Sequence, residues 1–126
     1  MEVINLKSTD DTPKVLLDAQ SNIFEISGRS LPEDVNNFYK PITEWVNTYA
    51  KAPNPSTVFS FKLVYFNTAS SKNILSILMV LKEMHLSGED VSVEWYYHED
   101  DEEMQESGLE FAKIVKIPFK QISYTG

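Results

Sequence analysis

Cysteine is absent from the 126 residues. That absence excludes disulfides, thiol nucleophiles and cysteine-built zinc sites, and it fits the reducing cytoplasm expected as this chain's location. Glycine is scarce, with four residues, and no Gly-rich phosphate loop occurs. The two histidines, His85 and His98, stand alone. Neither belongs to a Ser-His-Asp set or to a metal-ligand spacing, so no catalytic residue, metal or cofactor is expected and the chain reads as a non-enzyme. Long apolar runs are missing too. Ile74 to Leu81 is interrupted by Ser76 and is far too short to span a bilayer. The start, Met1 to Asn5, lacks the basic and apolar regions of a signal peptide. Positive charge is in deficit, with 11 Lys and Arg against 19 Asp and Glu, a net charge of −8 and a pI near 4.7. Such a field repels phosphate backbones and anionic lipid, so neither nucleic acid nor membrane insertion is expected.

What remains is 14.4 kDa of ordinary globular composition, enough for a single domain spanning residues 1–126. Lys14–Asp18 and Ile23–Ser27 are strand patterns joined by the turn Ala19–Asn22, and Val3–Lys7 is a further short strand or a loose arm. Ser30-Leu31-Pro32-Glu33 reads as a capped helix start. Leu31, Val35, Phe38, Ile42, Trp45, Val46 and Tyr49 then mark one helix face, with a kink expected at Pro41. Lys51–Pro55 is a linker. Thr57–Phe66 is apolar on both faces apart from Ser60 and Lys62, the pattern of a central strand covered by helices on both sides. Ser70–Leu86 is a strongly apolar helix, Val91–Tyr97 a strand, Asp100–Val115 a helix with acidic residues at its start, and Ile117–Tyr124 a last strand. Strands alternating with helices predict an α/β fold with a mixed, mostly parallel sheet of four to five strands.

The junction Tyr65-Phe66-Asn67-Thr68-Ala69-Ser70-Ser71-Lys72 stands out. An apolar strand stops, small polar residues follow, and an apolar helix begins. A hydroxyl placed there lies near the free N–H groups of a helix start, where a phosphoryl group is tolerated. On residue type alone either Asn67 or Thr68 is the N-cap, and capping does not preclude phosphorylation. A phosphate on Thr68 adds close to two negative charges and three acceptor oxygens. The helix N-terminus stabilises it by about 0.3–1 kcal/mol. A docked partner gains no such relief. Burying an unpaired dianion costs several kcal/mol, and a loss of about 3–4 kcal/mol weakens binding several-hundred-fold. Parallel strands would bring three loops to one edge: Gly28-Arg29-Ser30, Asn67–Ser71 and the acidic run Glu99-Asp100-Asp101-Glu102-Glu103. Arg29 or Lys72 would then be the basic neighbour of Thr68. The acidic run reads first as a solvated helical turn, and a magnesium site there is poorly specified.

Three stretches resemble the SiaC-type regulatory phosphoproteins of bacteria, relatives in shape of the anti-sigma factor antagonists (the STAS fold). They are Thr12-Pro13, Tyr65–Lys72, and the aromatic strand Trp95-Tyr96-Tyr97-His98 running into Glu99–Met104; the segment Tyr39–Trp45 also looks like the family's first helix. The resemblance covers about residues 12–123. It implies a phosphorylatable threonine at Thr68, surrounded by Asn67, Ala69, Ser70, Ser71, Lys72 and Arg29. It implies a serine/threonine protein kinase that modifies it and a metal-dependent phosphatase of the PP2C type that restores it. It further implies that the unmodified protein activates a diguanylate cyclase, raising cyclic di-GMP and promoting biofilm or aggregation. Three other readings stand beside this one: a partner-switching regulator with another target, a non-switching scaffold, and a small metal-dependent enzyme using Asp100, Asp101 and His98.

Overall fold

The N-terminal residues fold as a strand. In the computed structural model, which describes Met1 to Gly126, β1 (Ile4–Leu6) pairs antiparallel with β2 (Lys14–Asp18), which forms the expected hairpin with β3 (Ile23–Ser30). The indole N–H of Trp45 pins the arm ahead of β1 by donating to the Glu2 carbonyl at 2.6 Å. Three crossovers follow: β3 to α1 (Val35–Tyr49) to β4 (Ser56–Phe66), then α2 (Thr68–Leu86) to β5 (Asp90–His98), then α3 (Glu102–Val115) to β6 (Phe119–Tyr124). The sheet holds six strands in the order β1-β2-β3-β4-β5-β6, parallel from β3 onward, one more than the sequence predicts at most.

That order decides where the helices go. Each parallel strand is laid down beside the previous one in the same direction. Right-handed crossovers that all step the same way place their helices on one face. Helices on both faces would need the order to reverse. The expectation that β4 is covered on both sides is therefore corrected. Phe59, Phe61 and Leu63 are buried under the helices, whereas Val58, Lys62 and Val64 lie exposed on the open face. The core sits in the single layer between sheet and helices. Phe24, Trp45, Tyr49 and Phe59 fill one end, and Phe61, Phe66, Trp95, Phe111 and Phe119 fill the other.

Two local readings are also corrected. Ser30 does not cap α1. The chain stays extended through Gly28, Arg29 and Ser30, pairing Ser30 with Phe66, so these residues end a strand and form no loop. The cap is Asp34, which accepts from the Asn37 amide at 3.2 Å. β4 also carries an irregularity. Gly28 pairs with Leu63 but Arg29 pairs with Tyr65, leaving Val64 without a partner on β3. Gly28 has φ +102°, a backbone setting that side-chain-bearing residues rarely adopt. The extra residue breaks the in-out alternation: Leu63 points in, Val64 and Tyr65 both lie exposed, and Phe66 turns back to meet Trp95 and Phe111.

Candidate functional site

The junction between β4 and α2 is built by Asn67. Its amide donates to the Ser30 carbonyl at 3.1 Å, tying the end of β4 to the end of β3. Its side-chain Oδ1 accepts the Ser70 N–H at 2.8 Å, and its carbonyl accepts the Ser71 N–H at 3.0 Å. Asn67 is thus the N-cap of α2, and Thr68 is the first helical residue. Thr68 is exposed, and its hydroxyl takes no part in the junction's hydrogen bonds. With the Ser70 and Ser71 amides used, those of Thr68 and Ala69 are left facing outward at the positive end of the helix.

Beneath the exposed threonine lies a closed chain of hydroxyls. Ser70 is fully buried; its Oγ donates to the Ser30 carbonyl at 2.9 Å and accepts from Ser30 Oγ at 2.9 Å. Each serine has one proton, so both are spent, and the 2.6 Å contact between Ser30 and Tyr39 is a donation from the phenol. Burial pushes the Tyr39 pKa up, in keeping with a phenol that stays protonated and donates to Ser30. Ser70 therefore belongs to the support of the junction and offers no atom to a partner. The Ser71 hydroxyl turns back to donate to the Thr68 carbonyl at 2.7 Å. Ala69 and Lys72 are exposed, and Lys72, four residues along α2, shares the Thr68 side of the helix. Asn73 ties the helix to α1 through Asn36 at 3.2 Å.

The acidic run does reach this edge. Asp101 caps α3 by accepting the Met104 N–H at 3.0 Å, and Glu102 and Glu103 occupy its first turn, where the helix dipole favours carboxylates. Asp101 and Glu103 share a small cleft with Val64, Tyr65 and Phe66. A second cleft joins Phe66 and Ser71 to Phe111 and Ile114 of α3. Glu99 and Asp100 are exposed, and the Asp100 N–H donates to His98 Nδ1 at 3.1 Å. Nowhere do three His, Asp or Glu side chains converge as a metal site would require. Arg29 lies on the open sheet face, its Nε donating to the Asp10 carbonyl at 3.3 Å and its guanidinium 5.5 Å from the Tyr65 ring centre. Of the supporting residues, Ser30 and Tyr39 carry no sequence signal, because their partners are 40 and 9 residues apart in the chain.

Comparison with known proteins places this geometry. Residues 6–124 match the profile of the SiaC family regulatory phosphoprotein. An uncharacterized protein of Pseudomonas aeruginosa strain UCBPP-PA14 is 29% identical over 119 residues, 94% of each chain. The crystal structure of apo-SiaC from Pseudomonas aeruginosa superposes with a TM-score of 0.88 at 28% identity, covering 97% of this chain and 99% of that one. SiaC solved as the activator in complex with the diguanylate cyclase SiaD superposes with a TM-score of 0.91 at 27% identity, covering 96% of this chain and 99% of that chain.

Proposed function

Because this chain belongs to the SiaC family of regulatory phosphoproteins, we propose that phosphorylation of Thr68 decides whether it binds and activates a diguanylate cyclase. One observation carries the reading. Asn67 caps α2, which leaves the exposed Thr68 hydroxyl without a structural duty. A kinase can therefore load that oxygen, and a PP2C-type phosphatase can unload it, without dismantling the junction. The phosphate sits at the positive end of α2 with Lys72 on the same side of the helix. The fold tolerates the charge, whereas a partner docked at that edge must bury or displace it. The Pseudomonas aeruginosa SiaC, solved as activator of SiaD, supports a cyclase as that partner. The chain acts by binding in the cytoplasm, raising cyclic di-GMP and with it biofilm formation.

The test compares wild type with Thr68→Asp and Thr68→Ala against the diguanylate cyclases of the same genome. Wild type and Thr68→Ala are expected to bind and activate one of them. Thr68→Asp is expected to lose binding while its thermal melt stays within a few degrees of wild type. An aspartate variant that activates like wild type would defeat the reading.

A further inference from the structure

The C-terminal ends of α1 and α2 lie side by side, at the far end of α2 from Thr68. Between them runs a cleft of about 540 Å³, floored by Ala50, Pro53, Val80 and Met84 and open along Met79. Met79 is 37% exposed, and Leu86, two turns further along the same side of α2, is 67% exposed. Both helices end without the Lys or Arg that commonly offsets the negative pole in a last turn: α1 has no basic residue there, and α2 has only His85. Glu83 on α2 and Glu89 just beyond it line the cleft, and neither carboxylate has an ion pair within the chain. Lys51, the residue after the α1 cap, is the one cation lining the cleft, and it is unpaired too. Two carboxylates and two helix C-termini thus stand against one ammonium, on a chain of net charge −8.

We propose that this cleft docks a short extended segment of a partner protein, one that carries apolar side chains between lysines or arginines. The apolar groups cover Met79, Val80 and Met84, while the cations meet Glu83 and Glu89 at the rim. The shape favours a segment over a small ligand. Most lining residues are exposed or half-buried, and Met79 to Ser87 spans about 12 Å along α2, the length of about four extended residues. A second copy of the chain is disfavoured, because two bodies of net charge −8 repel each other. Thr68 precedes Glu83 by 15 residues, about 22 Å along the helix and more than about two Debye lengths at physiological ionic strength. A phosphate there leaves the field of the cleft nearly unchanged. The segment therefore stays held whether or not Thr68 is modified, and the cleft is a tether that does not depend on the switch.

The experiment follows the methionine methyl signals of the full chain by NMR while a capped tetrapeptide of alternating leucine and arginine is added. Met79 and Met84 report on the cleft, and Met104, in the first turn of α3, is the internal control. The peptide is expected to shift the Met79 and Met84 signals saturably below about 1 mM and to leave Met104 in place. Its counterpart of leucine and glutamate is expected to bind at least about tenfold more weakly. Glu83→Gln combined with Glu89→Gln is expected to weaken binding about threefold or more, and Lys51→Gln to tighten it about twofold. Thr68→Asp is expected to change it by less than about twofold. No saturable shift, equal affinity for the two peptides, or a double variant that binds as wild type overturns the docking cleft. Butylamine binding as tightly as the peptide would assign the cleft to a small cation, and Met79 shifts that grow with protein concentration alone would assign it to a second copy; either overturns the partner segment. A Thr68→Asp chain that loses the peptide overturns the tether's independence of the switch.

Discussion

Ser30 Oγ and Tyr39 OH lie 2.6 Å apart in the closed layer between sheet and helices, and both residues are fully buried. This contact joins the end of β3 to α1, and through Ser70 it reaches the start of α2. Tyr39→Phe keeps the ring and removes the phenol, so Ser30 Oγ loses a donor but keeps Ser70. The expected cost is about 1 kcal/mol, read from denaturant melts near neutral pH. Burial favours the protonated phenol, so the native state holds that proton more tightly than the unfolded chain. The contribution is complete below the ordinary value of 10.0 and is lost as pH rises through the raised native value. The gap between wild type and Tyr39→Phe should therefore narrow as pH rises above 10.0.

Asn67 and Thr68 are neighbours with separable roles. Asn67→Ala deletes the cap on Ser70 and is expected to cost about 1 kcal/mol. Thr68→Asp leaves the cap intact and adds charge where the helix favours it, with an expected gain of about 0.3–1 kcal/mol. Thermal melts of the two variants should move in opposite directions.

Gly108 of α3 faces the Trp95 ring. A Cβ there would collide with the indole and stand 2.6 Å from Gln121 Nε2, in a region where Trp95 already donates to the Met104 carbonyl at 3.0 Å. Gly108→Ala gains up to about 1 kcal/mol of helix propensity, but overpacking should exceed that gain, with a cost of about 1–3 kcal/mol. A lowered melt with altered tryptophan fluorescence checks it.

Lys116 ends α3 in the left-handed region at φ 54°, and its side chain is exposed. Lys116→Gly is expected to stabilise the protein by about 1 kcal/mol by relieving the Cβ contact. An unchanged or lowered denaturation midpoint would contradict this.

Most of the architecture was legible because its period was clear. The hairpin from Lys14, the α2 apolar run and the alternation of Val91, Val93 and Trp95 all appear where their patterns point. The junction was legible for the same reason, since an apolar strand meets small polar residues at a helix start. Three features escaped. Ser30 looks like a cap because serine before Leu-Pro-Glu usually is one, yet long-range pairing with Phe66 keeps it extended. Val58 and Val64 look buried because apolar residues usually are, whereas the monotonic strand order leaves their face open. The missing partner of Val64 depends on the register between β3 and β4, which no local pattern encodes.

The hydroxyl arrangement at the start of α2 also limits how finely the protein can be graded. Ser70 is sealed in, Ser71 is turned back onto the chain, and position 69 carries a methyl group. A transferase approaching this turn meets one hydroxyl, that of Thr68, that is exposed and engaged in no hydrogen bond within the chain. Under the proposed switch, stoichiometry at the turn then follows from the substrate's shape, and the signal is binary.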